Sequence, residues 1–148
     1  MFGKNRKYKK AANALGPHIH QQIVVAMASR QDVFSKPEEM TFVAGYLFSL
    51  MWDTLNKRGC TDVALIFKML KYVCDGVIPG RLWDIVERGE SLGNSFLDDS
   101  SPEYMSAKDA YELGKECGIY DASKLDWEGV APENLQRYLV GEDVVTGI

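Results

Sequence analysis

Apolar residues recur at three- and four-residue intervals through most of the chain. This is the period of an α-helix that turns one face inward, and no convincing pair of strands accompanies it. From Pro17 onward Ile19, Ile23, Val24 and Met27 keep the spacing, and the preceding Gly16 fits a helix that starts with proline in its first turn. Ser35-Lys36-Pro37-Glu38 has the form of a capping box, in which the Ser35 hydroxyl accepts from the third amide while Glu38 reaches back. A long helix is expected to follow. Its stripe is Phe42, Val43, Tyr46, Leu47, Leu50, Met51 and Leu55, while Phe48 and Trp52 lie on another side. Such a helix is covered on more than one face. Gly45 and Ser49, four residues apart, would let a neighbouring helix come close, and Gly59 is placed to end the helix in a left-handed conformation.

Thr61 or Asp62 can cap the next helix, where Val63, Ile66, Phe67, Leu70, Val73 and Cys74 follow the helical rule and Lys68, Lys71 and Asp75 leave a narrow polar stripe. This segment, closed by Gly76, is expected to be the central core helix. A shorter helix is expected from about Pro79 to Gly89 with Leu82, Trp83, Ile85 and Val86 inward. Residues 89–101 are dense in Gly, Ser, Asn and Asp and read as a loop, with a possible sub-boundary there. Ser100 or Ser101 ahead of Pro102 can start a further helix through Tyr111, Leu113 and Cys117 to Gly118; a last one begins near Pro132 and carries Leu135, Tyr138 and Leu139. The expectation is an all-α fold: one helical bundle of five to six helices over residues 13–148, preceded by a flexible basic arm at residues 1–12.

Composition narrows the class without changing that picture. A chain of 148 residues, 46% hydrophobic and 26% charged, can bury one continuous core and is neither disordered nor fibrous. The most apolar window, Phe42 to Trp52, stops at Asp53 and is about half the length of a membrane span, so no transmembrane segment is expected. The basic start followed by Ala26-Met27-Ala28 imitates a secretory signal, but Gly16, Pro17, His18, His20, Gln21 and Gln22 interrupt its apolar middle. No lipidation motif stands at either end. Three cysteines, Cys60, Cys74 and Cys117, are widely spaced and never form Cys-x-x-Cys. Reduced core thiols in a cytoplasmic protein are expected.

Charge is distributed unevenly. Residues 1–83 hold 12 Lys and Arg against 6 Asp and Glu, and residues 84–148 hold 5 against 15, which together make the net −4. Such halves attract each other within a fold, pair between copies, or meet separate partners. Lys4, Arg6, Lys7, Lys9 and Lys10 could hold phosphates on nucleic acid or on an anionic membrane surface. The acidic remainder opposes a polyanion over most of the surface and suits a basic protein partner better.

Several motifs fail on chemistry. Gly89-Glu90-Ser91-Leu92-Gly93 satisfies the pattern of a nucleophilic serine elbow, but it lacks the strand before it, the helix after it and a downstream histidine. Gly89 reads better as a helix stop. His18 and His20 point to roughly opposite sides of a helix and so form no metal pair there. The acid pairs Glu38 with Glu39, Asp98 with Asp99, and Glu112 with Glu116 read as a cap, a loop and an exposed face. Phosphate-loop and dinucleotide motifs are absent, and no cofactor is expected. Trp127, in the acidic stretch Leu125 to Val130, is a candidate loop-borne anchor. The expected function is therefore that of a non-enzymatic interaction or regulatory protein. It would bind a protein partner or a second copy through its acidic C-terminal portion: Asp98, Asp99, Asp126, Trp127 and Glu128. Binding of nucleic acid or an anionic membrane by the basic arm is the alternative.

Overall fold

The computed structural model describes residues 2–77, 82–95, 102–128 and 133–146, and among these there are six α-helices and no strand. They are α1 (Phe2–Ser29), α2 (Pro37–Asn56), α3 (Val63–Val77), α4 (Leu82–Ser95), α5 (Pro102–Glu128) and α6 (Asn134–Val140). The helical bundle expected from periodicity is the fold observed.

Helix α1 begins much earlier than its apolar spacing suggests. Ala11, Ala12 and Leu15 are buried on the same face as Ile19, Ile23 and Ala26, and Tyr8 packs against the core, so the inward stripe extends into the basic segment. Residues read as an arm thus form the first turns of a 28-residue helix. Pro17 is inside it rather than at its start. The ring sits on the exposed side, where it forfeits one intrahelical hydrogen bond, and Gly16 before it has no Cβ to crowd the proline Cδ.

Helix α2 starts one residue later than the capping box implies. Proline drives the residue before it into extended backbone, so Lys36 (φ −104°, ψ 143°) is the N-cap, and it makes no side-chain capping bond. Ser35 and Glu38 therefore do not cap reciprocally. Glu38 and Glu39 still oppose the positive end of the helix dipole. At the other end Gly59 adopts φ +94°, and the Cys60 amide returns to the Leu55 carbonyl at 3.0 Å. Asp62 caps α3 by accepting from the Leu65 amide at 3.3 Å.

The central helix is α2, not α3. It packs on each of the other five helices, and Phe42, Val43, Ala44, Tyr46, Leu47, Leu50, Met51 and Leu55 are fully buried. Helix α3 keeps one face to solvent, with Val63 and Tyr72 each 48% exposed. The most extensive packing joins α2 to α5, and its cause is the absence of side chains. A Cβ on Gly45 would overlap the Tyr111 carbonyl oxygen, one on Gly114 that of Phe42, and one on Gly118 that of Tyr46. The close approach expected at Gly45 is thus realised, with glycines answering from α5. It lets the Thr41 hydroxyl donate across to the Ala107 carbonyl at 2.8 Å.

Glycine as a packing residue also revises two expected boundaries. Gly89 does not stop α4; it is buried where a Cβ would overlap the Met40 carbonyl of α2, and the helix continues to Ser95. Residues 89–95 of the expected loop are therefore helical, and 96–101 lie outside the described residues. Gly118 likewise does not end α5, which continues for another ten residues to Glu128. Trp127 stands on its last turn rather than on a loop.

Candidate functional site

Four helices converge on a buried polar cluster that no stretch of the sequence announces. Gln22 from α1, Tyr46 from α2, Asp121 from α5 and Asn134 from α6 are all 0% exposed, and buried polar groups of this kind persist only where they satisfy one another. The Tyr46 hydroxyl donates to Asp121 Oδ2 at 2.5 Å. Asp121 also accepts from the Asn134 amide at 3.0 Å and from Asn134 Nδ2 at 2.8 Å. Gln22 Nε2 donates to the Tyr46 hydroxyl at 3.2 Å, while its Oε1 accepts from the Gln136 amide at 3.1 Å. His18, half-buried on α1, completes the cluster with Nε2 3.1 Å from Gln22 Nε2 and 3.4 Å from the Tyr46 hydroxyl.

The cluster also fastens the end of the chain. Asn134 Nδ2 donates to the Val145 carbonyl at 2.5 Å, and Asn134 Oδ1 accepts from the Val145 amide at 2.7 Å. One side chain therefore ties the segment after α6 to a carboxylate on α5. A second tie lies nearby: Arg30 Nη1 donates to buried Glu39 at 2.6 Å and to the Leu139 carbonyl at 2.8 Å.

Electrostatics in the cluster follow from burial. Removal from water raises the Asp121 carboxyl from 3.8 to about 6, against the hydrogen bonds from Tyr46 and Asn134, which favour its ionised form. Burial pushes the Tyr46 hydroxyl well above its ordinary range, and the Asp121 charge adds to the effect. Burial lowers His18, which favours the neutral ring. A carboxyl, a phenol and an imidazole in contact are the materials of proton transfer. Here each of them lies within hydrogen-bonding distance of another member of the cluster, which joins the helices that carry them.

The cysteines are buried, at 3% exposure or less, and burial pushes the Cys74 and Cys117 thiols up to about 12. They are core residues, as their sequence surroundings suggest. His18 turns inward while His20 is exposed beside a cavity between α1 and α3. Among the described residues no group of three or more His, Cys, Asp or Glu could hold a metal ion. Glu112 and Glu116 are exposed on α5, as expected. Ser91 lies inside α4, which removes the strand-to-helix turn that a nucleophilic elbow needs.

Of the residues expected to bind partners, Arg6, Lys7, Lys9 and Lys10 are exposed on the first turns of α1. Lys4 precedes them on the same helix. Lys7 lies over the Tyr8 ring, with its Nζ 5.1 Å from the centroid, and Lys9 over Tyr72 of α3 at 5.0 Å. Asp126, Trp127 and Glu128 occupy the final turn of α5, and Asp98 and Asp99 lie outside the described residues.

One surface feature bears on the acidic portion. Phe48 and Trp52 of α2, Val63 of α3 and Ile119 of α5 line a groove of about 290 Å³ with Ser49 at its floor. Ile119 is 51% exposed. Glu112 and Glu116 precede it by seven and three residues, on the same stripe of α5. Sequence reading placed the anchor at Trp127 and overlooked Ile119, whose signal was an aliphatic residue in register with two glutamates.

No protein-family model, no curated protein and no solved structure matches this chain.

Proposed function

We propose that this protein is a non-enzymatic interaction module whose acidic C-terminal portion engages a basic protein segment. The observation that carries the reading is the α2–α3–α5 groove, an apolar slot lined by Ile119, which follows exposed Glu112 and Glu116 at helical spacing on α5. An apolar anchor seated there would lose its water, while lysines or arginines extending from it along α5 would meet the two carboxylates. Helix α5 holds seven Asp and Glu against three Lys, which extends the same sign of charge toward Asp126 and Glu128. A second copy of this chain is one such partner, since its own first turns are basic. Buried, unactivated thiols suit a reducing cytoplasm as the setting.

Titration with an amphipathic helical peptide of Lys and Leu, and with its Glu and Leu counterpart, tests the reading by isothermal calorimetry. The basic peptide should bind and the acidic one should not. Ile119→Arg should remove most of the binding, and Glu112→Gln with Glu116→Gln should weaken it and flatten its salt dependence. Equal affinity for the Ile119→Arg variant would sink the proposal.

A further inference from the structure

Helix α1 begins with cations where α2 and α4 begin with acids. A helix start carries partial positive charge, and α2 and α4 place Glu38, Glu39 and Asp84 in their first turns accordingly. Helix α1 has no acidic residue in any of its 28 positions and sets Lys4, Arg6, Lys7, Lys9 and Lys10 in its first three turns. Those cations are unfavourable where they stand, and a local conflict of this kind marks function more often than stability. The second observation lies at the other end of the same helix. Val24 and Met27 are 48% and 50% exposed and Val25 is 37% exposed, in line with the lysines along the solvent side. The outward face of α1 thus passes from cationic to aliphatic over about 30 Å at 1.5 Å per residue, without an acid on it.

We infer that this face rests on an anionic lipid surface. Cations alone would suit nucleic acid equally well, but phosphodiester backbones have no use for Val24, Val25 and Met27. A bilayer interface takes both, the lysines among its phosphates and the aliphatic side chains at the acyl boundary. The rest of the fold permits the approach. Helix α2 lies between α1 and α5, which do not pack on each other, so the acidic stripe of α5 is held away from the surface that α1 would meet. Helix α3, which does pack on α1, carries exposed Lys68 and Lys71, and its Asp75 lines the cavity beside Pro17 and His20, while exposed Asp32 follows the end of α1 and Glu142 and Asp143 follow α6. The contact is peripheral, since none of the described helices is long and apolar enough to cross a membrane. This surface is separate from the α5 groove and stands or falls independently of it.

Co-sedimentation of the full chain with vesicles tests the inference, using phosphatidylcholine alone and phosphatidylcholine with a quarter phosphatidylglycerol. The chain should bind only the anionic vesicles and release at high salt. Lys7→Ala with Lys10→Ala should lower partitioning roughly twenty-fivefold, at about fivefold per cation, and Val24→Ser with Met27→Ser should also weaken it. Both pairs are exposed, and circular dichroism verifies that the variants fold. No binding to anionic vesicles overturns the inference. So does binding indifferent to the lysines or to the aliphatic pair, or displacement from vesicles by an equal phosphate concentration of mixed-sequence duplex DNA.

Discussion

Replacing Asp121 by Asn isolates a fully buried carboxyl whose ionisation the fold opposes. Two effects compete at this side chain: three hydrogen bonds from Tyr46 and Asn134 favour the carboxylate, and complete burial disfavours it. Burial wins, since the carboxyl moves from 3.8 up to about 6. A carboxyl that holds its proton more tightly when folded contributes stability below pH 4, and that contribution is lost as pH rises through about 6. At about 1.4 kcal/mol per tenfold change in proton affinity, the whole swing is roughly 3 kcal/mol. An amide of the same shape does not titrate. Urea unfolding followed by circular dichroism, for both proteins between pH 3.5 and 7.5, should give a stability difference, wild type minus Asp121→Asn, that falls by up to about 3 kcal/mol across that range. His18 opposes the trend in each protein alone, because its lowered pKa makes it lose stability as pH falls. It is present in both, so subtraction removes its contribution to first order. A difference that stays flat, or rises with pH, would mean that the three hydrogen bonds outweigh desolvation and would refute the reasoning.

Gly114→Ala should destabilise by about 2 kcal/mol or more, because its Cβ meets the Phe42 carbonyl and the two helices must part; an unchanged thermal midpoint would contradict the packing described. Gly76→Ala should instead stabilise by up to about 0.5 kcal/mol, since it lies in the last turn of α3 without positive φ and a Cβ there meets nothing within 4 Å. Arg30→Ala should cost more stability than Arg30→Ala combined with Glu39→Gln, because the single change leaves a buried carboxylate without its cation; equal losses in chemical denaturation would show that the pair is not coupled. The three cysteines should resist a thiol reagent in native buffer and all react in denaturant, and a thiol that reacts at once in the native state would disprove its burial.

The all-α architecture was legible because periodicity is a local property. Asp62 as the α3 cap and Gly59 as the end of α2 could be read from a few neighbouring residues each. What a glycine does could not be read so. Gly59 and Gly141 end helices with positive φ, whereas Gly89, Gly114 and Gly118 lie within helices where another backbone passes. The residue is the same, and only the partner helix distinguishes the roles. The α1 boundary failed differently: small alanines at 11 and 12 carry the inward stripe past a proline that ordinarily marks a start. For the polar cluster a weak signal existed. Gln22 interrupts Ile19, Ile23 and Ala26, and Asp121 falls four residues after Cys117 and four before Leu125, so each is a polar residue in register with an apolar stripe. Either could have been read as a buried polar group, but nothing local joins them to Asn134 on a separate helix.

The choice of α2 as the central helix ties these features together. A helix on which five others pack needs neighbours that differ in how near they can come, because side chains of one size cannot fill unequal gaps. Helix α5 approaches over glycines, α4 through Gly89, and α1 and α3 through ordinary aliphatic packing. Close glycine contacts set the spacing of the α2–α5 pair, with Thr41 to Ala107 and Tyr46 to Asp121 as hydrogen bonds across it. Helices α1 and α6 have no such contacts with that pair, and there the positional constraint comes from directional bonds: Gln22 to Tyr46, Asn134 to Asp121, and Arg30 to Glu39 and Leu139. Close backbone approach distinguishes one half of the bundle, and the other depends on hydrogen bonding for its placement. A pH change that reaches Asp121 should therefore loosen α6 and the segment held by Asn134 before it disturbs α2 and α5.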